Sequence, residues 1–111
     1  MIHVLDDDLT DALDQVEKFA PIYAKAKGKR VQLEHFRKSK KSALALDAVG
    51  STVSEKDHRA YSHKDYIAVV DGLSAATEQE TEAFWKLKLA EMKVGVWRTL
   101  QSNRRQEARI L

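Results

Sequence analysis

The chain has 111 residues, a formal net charge of +2, 32% charged residues, one proline, four glycines and no cysteine. That length bounds it at one domain. The missing cysteine excludes disulfides and thiolate metal sites, and scarce Pro and Gly beside abundant Ala, Leu, Lys, Glu and Arg predict long helices.

Asp6-Asp7-Asp8 supplies N-cap candidates and favourable charge for a first helix. Leu9, Leu13, Val16 and Ala20 then recur at helical spacing. Pro21 is expected to kink this helix or to open the next, so residues 1–20 are predicted as an acidic N-terminal helix. A second, basic helix is predicted over 21–48, with Ile22, Ala26, Leu33, Phe36, Ala43 and Leu44 on its apolar side and Gly28 as a local cost of about 1 kcal/mol. Val49-Gly50-Ser51-Thr52 ends it, with the glycine suited to a left-handed position. Ser54-Glu55-Lys56-Asp57 resembles a capping box and starts a short connecting helix over 54–62. Ser62-His63-Lys64-Asp65 is a second start signal, for a long helix over 65–107.

In that last helix Tyr66, Val69, Leu73, Ala76, Glu80, Ala83, Leu87, Ala90, Val94 and Trp97 alternate by three and four. Only Glu80 interrupts the apolar stripe. Such a repeat predicts a coiled-coil-like seam. From Asp65 to Gln106 the helix would be about 60 Å long, which a chain of this size does not wrap on all sides. The expected fold class is therefore all-α: a long antiparallel helical hairpin of the 21–48 and 65–107 helices, with surface left for further copies.

Charge alternates along the chain. Residues 1–24 carry one Lys against six acids and residues 25–41 carry eight Lys or Arg against Glu34. Residues 42–84 carry three Lys or Arg against eight acids, and residues 85–111 seven against two. At 100° per residue Lys27, Arg30, Arg37, Lys38 and Lys41 share an arc of about 100°, the arrangement that phosphate neutralisation needs; the bland reading is a solvated helix face. Arg98, Arg104, Arg105 and Arg109 form a second basic segment, which a favourable meeting with the helix dipole also explains. An antiparallel hairpin is expected to bring that segment near Pro21–Arg30 and so to join the two basic runs. Phe36, Tyr66, Phe84 and Trp97 are expected in the core. Trp85 lies beside the stripe, exposed for base stacking or, more in keeping with its type, at a helix or subunit interface.

Catalysis is not expected. His58 and His63 lie five apart, a poor spacing for metal on a helix. No HExxH motif, glycine-rich phosphate loop or nucleophile elbow occurs, so no cofactor, metal or catalytic residue is assigned. Apolar runs such as Ile67–Val70 are too short to span a membrane. The start MIHVLDDDLTD lacks the pattern of a secretory signal, so a cytosolic location is expected.

Phe36-Arg37-Lys38-Ser39, Lys41, Gly50-Ser-Thr-Val-Ser-Glu-Lys-Asp57, Ala60-Tyr61, His63-Lys-Asp-Tyr66, an acidic stretch before Phe84-Trp85, and Val96-Trp97-Arg98-Thr99 occur in that order. Over residues 36–105 this resembles a family of small helical tailed-phage proteins, whose layout is similar to that of the recombination-mediator protein of T4-like phages. The resemblance implies a small helical homo-oligomer in the host cytoplasm that binds single-stranded DNA and helps load the recombinase, with a recombinase or single-strand-binding protein as partner. It implies DNA contacts at Arg37, Lys38 and Lys41, and a packing role for Trp97-Arg98-Thr99. The first 24 residues match nothing in the pattern. A different class of function, a protein-binding module acting as assembly chaperone or as inhibitor of a host defence or replication protein, fits the same charge map without nucleic acid. A double-strand-specific repressor fits less well, because no compact helix-turn-helix is visible.

Overall fold

The computed structural model describes residues 6–110, and within them the chain is all α. Helix α1 runs Asp6–Asp47, α2 runs Val53–Ser62 and α3 runs Lys64–Ile110. The long pair α1 and α3 forms the expected helical hairpin. Residues 1–5, the start of the predicted first helix, lie outside the described residues.

The predicted break at Pro21 is not there: residues 6–47 are one helix with Pro21 inside it. Proline removes one N–H donor and crowds the preceding turn. Side chains on either side of it are pinned to α3, which holds the helix through this defect. The Phe19 ring lies 5.3 Å from Lys86 Nζ, and the Tyr23 and Phe84 rings are 5.8 Å apart.

The turn between α1 and α2 also differs in detail. Thr52, not Ser54, caps α2: its backbone is extended and its hydroxyl accepts from Glu55 N at 3.1 Å. Glu55 Oε2 in return accepts from Ser51 N at 2.9 Å. Gly50 takes no left-handed conformation. It is small for another reason, since a Cβ there would stand 3.1 Å from Glu55 Cβ. At the next corner His63, not Ser62, opens α3, its Nδ1 accepting from Asp65 N at 3.0 Å.

Two compact units share the long helices. One comprises Met1–Ala24 with Thr81–Leu111, the other Lys25–Glu80. In the first, the order of the partners Phe19 with Lys86 and Tyr23 with Phe84 makes the two helix segments antiparallel. The indole N–H of Trp97 donates to Asp6 Oδ1 at 3.0 Å. In the second, Arg30 meets Glu80 and Arg37 meets Tyr66, again antiparallel.

Each residue of the predicted α3 stripe, from Tyr66 through Trp97, is buried or half-buried. Alanines Ala76, Ala83 and Ala90 are its most covered members. The facing stripe on α1 departs from expectation. Ala12, Val16, Phe19, Tyr23, Ala26 and Leu33 are covered, and Arg30 and Arg37 occupy positions in the same series. Ile22, Phe36 and Ala43, expected on the apolar side, are exposed, as is Leu13. Phe84, expected in the core, is 38% exposed.

Candidate functional site

The second unit holds five of the residues for which an anion-binding role is expected, Lys27, Arg30, Arg37, Lys38 and Lys41. Lys27 and Lys38 are exposed, but Arg30, Arg37 and Lys41 are half-buried. The predicted arc therefore straddles the edge of the helix seam: one side meets solvent and the other meets α2 and α3. Long cationic side chains manage this by laying their stems on apolar surface and turning the charged end to a partner.

Arg30 is fully engaged. Its Nε and Nη2 hold both oxygens of Glu80, the Nη2 bond measuring 3.2 Å, and its Nη1 donates to Glu34 at 2.9 Å. The fork matches the carboxylate in the bidentate manner that suits guanidinium. The bonds to Glu80 and then Glu34 hold its pKa above the already high ordinary value, against the opposing effect of burial. Arg30 is thus a neutralised rung of the hairpin, and its place in a phosphate-binding face is corrected accordingly.

Arg37 is different. Its Nη1 approaches the Tyr66 hydroxyl at 3.5 Å, and its Nε is buried without an acceptor among the described residues. No carboxylate among the described residues is bound to it. Lys41 contacts Asp57 Oδ1 at 3.1 Å and lies 5.2 Å from the centre of the Tyr61 ring. The Asp57 hydrogen bond raises its pKa above the ordinary 10.5, partly opposed by burial. Tyr61 and Tyr66 meet edge to face with centroids 5.3 Å apart.

Arg37, Lys38, Lys41, Ser42, Tyr61 and Tyr66 together line an open cleft of about 320 Å³. Three cations, one of them (Lys41) already paired with Asp57, converge there with a hydroxyl and an exposed aromatic face. A guanidinium, two ammonium groups and a serine hydroxyl are donors for phosphate oxygens, and Tyr61, 51% exposed, offers a ring for stacking. Sequence reasoning found the three cations but not Ser42 or the two tyrosines as their neighbours.

Arg98, Arg104, Arg105 and Arg109 are all exposed. Their expected nearness to Pro21 is corrected by the pairing within the first unit. Tyr23 is level with Phe84, whereas Trp97 is level with Asp6. Thirteen residues of helix separate Phe84 from Trp97, roughly 20 Å, so the arginines lie toward the start of α1. Phe19, unremarked in the sequence, lines a groove in this unit of about 300 Å³ with Asp8, Asp11, Lys86 and Lys93 at its rims.

Among the described residues no group of three or more His, Cys, Asp or Glu side chains stands ready to hold a metal ion. No helix there is long and apolar enough to cross a membrane. Comparison with protein-family models, curated proteins and solved structures finds no match to this chain.

Proposed function

We propose that this is a non-enzymatic phage DNA-recombination accessory protein, mediator-like, that binds single-stranded DNA and assists recombinase loading as an assembly of copies. The observation that carries the reading is the Arg37–Lys38–Lys41 cleft with Tyr61 at its wall. Phosphates occupy the donors while a base stacks on the exposed ring, and neither contact reads sequence. Lys27 on α1 and the exposed Arg98, Arg104 and Arg105 on α3 extend the electrostatic attraction, whereas Arg30 is spent on Glu80. The protein partner on this reading is a recombinase or a single-strand-binding protein.

The test is fluorescence anisotropy of a labelled oligonucleotide across a salt series. Binding is expected to weaken steeply with salt, and each phosphate contact removed lowers the logarithmic slope by about 0.7. Lys27→Glu with Lys38→Glu, both at exposed positions, is expected to weaken binding to every sequence alike. Arg37→Glu with Lys38→Glu strikes the cleft itself. Absence of binding at low salt, or binding indifferent to salt and to these substitutions, removes the reading.

One observation favours the second class, a protein-binding module. Trp85, Leu89 and Met92 are 61%, 47% and 52% exposed and share an arc of about 60° on α3. A stoichiometric host protein that stays bound through nuclease and high salt supports that reading over DNA binding.

A further inference from the structure

The unit formed by Met1–Ala24 and Thr81–Leu111 encloses little. Its buried residues, among those described, are Ala12, Ala83 and Ala90. Larger apolar side chains of both helices lie to one side of this alanine seam, and Trp85, Leu89 and Met92 of α3 alone lie on the other. At 100° per residue, Leu9, Leu13, Val16 and Ala20 fall in an arc of about 60° on α1, centred roughly 70° from Ala12. Phe84, Leu87 and Val94 fall at the matching angle from Ala90, on the same side of the antiparallel pair. Leu13 is 51% and Phe84 38% exposed; Leu9, Val16, Leu87 and Val94 are half-buried. Two helices share a single seam, so a stripe rotated off it is left half uncovered.

We propose that a second copy of this chain covers that face, giving a two-fold, four-helix assembly. Charge decides the occupant and its orientation. Residues 6–24 of α1 carry six acids and one Lys, while residues 81–99 of α3, level with them, carry four Lys or Arg and two Glu. A two-fold axis along the helices lays each acidic α1 segment over the partner's basic α3 segment. The perpendicular alternative sets acid on acid, which electrostatic complementarity disfavours. The register of this unit puts Glu17 level with Lys88, since Phe19 is level with Lys86. Both are exposed, on the outer edges of the apolar face. In the assembly Glu17 flanks the partner's Lys88, twice by symmetry. The geometry is that of a left-handed bundle with charged flanking positions.

The experiment is sedimentation equilibrium on nuclease-treated full-length protein, so its outcome is independent of DNA binding. The expected species is a dimer with twice the chain mass. Leu13→Arg is expected to yield monomer with the helical circular-dichroism signal kept, because the new side chain stands four residues before Glu17 and meets it along the helix. Glu17→Lys and Lys88→Glu are each expected to weaken association roughly tenfold, each flank contact occurring twice. Mixing the two single variants restores it, as only a second copy does. Wild-type protein that stays monomeric at high micromolar concentration, or a dimer mass unmoved by Leu13→Arg, overturns the proposal.

Discussion

Arg30 and Arg37 sit one heptad apart, at positions that a helix pair ordinarily fills with leucine, and their fates diverge. Arg30 is matched by Glu80, and Arg37 only by the Tyr66 hydroxyl. Half of this was legible. Glu80 is the sole charged residue in the α3 stripe, and an interruption of that kind implies an opposite charge across the seam. The choice of Arg30 was not legible, because the rotation of α1 about its axis is decided by packing and not by its own apolar pattern. Glu80→Ala leaves Arg30 without its main partner, and is expected to lower the melting temperature more than Arg30→Leu with Glu80→Leu does. The double variant should melt at or above wild type, since paired charges removed together leave no orphan; thermal circular dichroism compares them. Lys41 carries a pH dependence. Its pKa is raised in the folded state, so the stabilisation from Asp57 is fully present below the ordinary 10.5 and fades as pH rises through the higher folded value. The difference in melting temperature between wild type and Lys41→Gln should therefore hold at neutral pH and close in strongly alkaline buffer.

At the level of elements, the long helices were readable because their apolar residues recur over many turns, whereas the ends were not. Thr52-Val53-Ser54-Glu55 and Ser54-Glu55-Lys56-Asp57 are overlapping capping frames, two residues apart. The first prevails because it combines the hydroxyl cap with Glu, whose longer side chain reaches back to Ser51 N. Thr52→Ala is expected to cost about 1 kcal/mol in chemical denaturation. Pro21 misleads in the opposite direction: local chemistry favours a break there, and the packing of Phe19 and Tyr23 on α3 overrides it. Pro21→Ala returns a backbone donor to an exposed helical position. It should raise unfolding free energy by up to ~3 kcal/mol, measured in the same denaturation series. No rise would mean that the proline is accommodated without cost.

For the molecule as a whole, the alternation of acidic and basic segments was plain from the sequence, and so was the helical hairpin. The candidate cleft was legible only as a basic run, because its tyrosines come from beyond a corner whose geometry depends on the caps at Thr52 and His63. The Leu9–Leu13–Val16–Ala20 stripe was seen correctly as apolar; what it faces follows from Ala12 having taken the seam. If a second copy covers that stripe, unfolding is coupled to association. The melting temperature should then climb with chain concentration by mass action, and should cease to do so in Leu13→Arg. A differential-scanning dilution series measures it.

The alanines Ala76, Ala83 and Ala90 recur every seven residues along α3, so sliding that helix by one heptad past its neighbour superposes small residue on small residue. Nothing in their shape opposes such a slip. Glu80 does, because a slip replaces it with Leu73 or Leu87 and leaves the Arg30 guanidinium against an aliphatic side chain. One polar rung thus acts as an index mark for the helix pair, as a lone polar residue does in a coiled-coil seam. The leucine double variant that melts higher should accordingly be the less uniquely folded protein, with doubled resonances in its amide NMR spectrum.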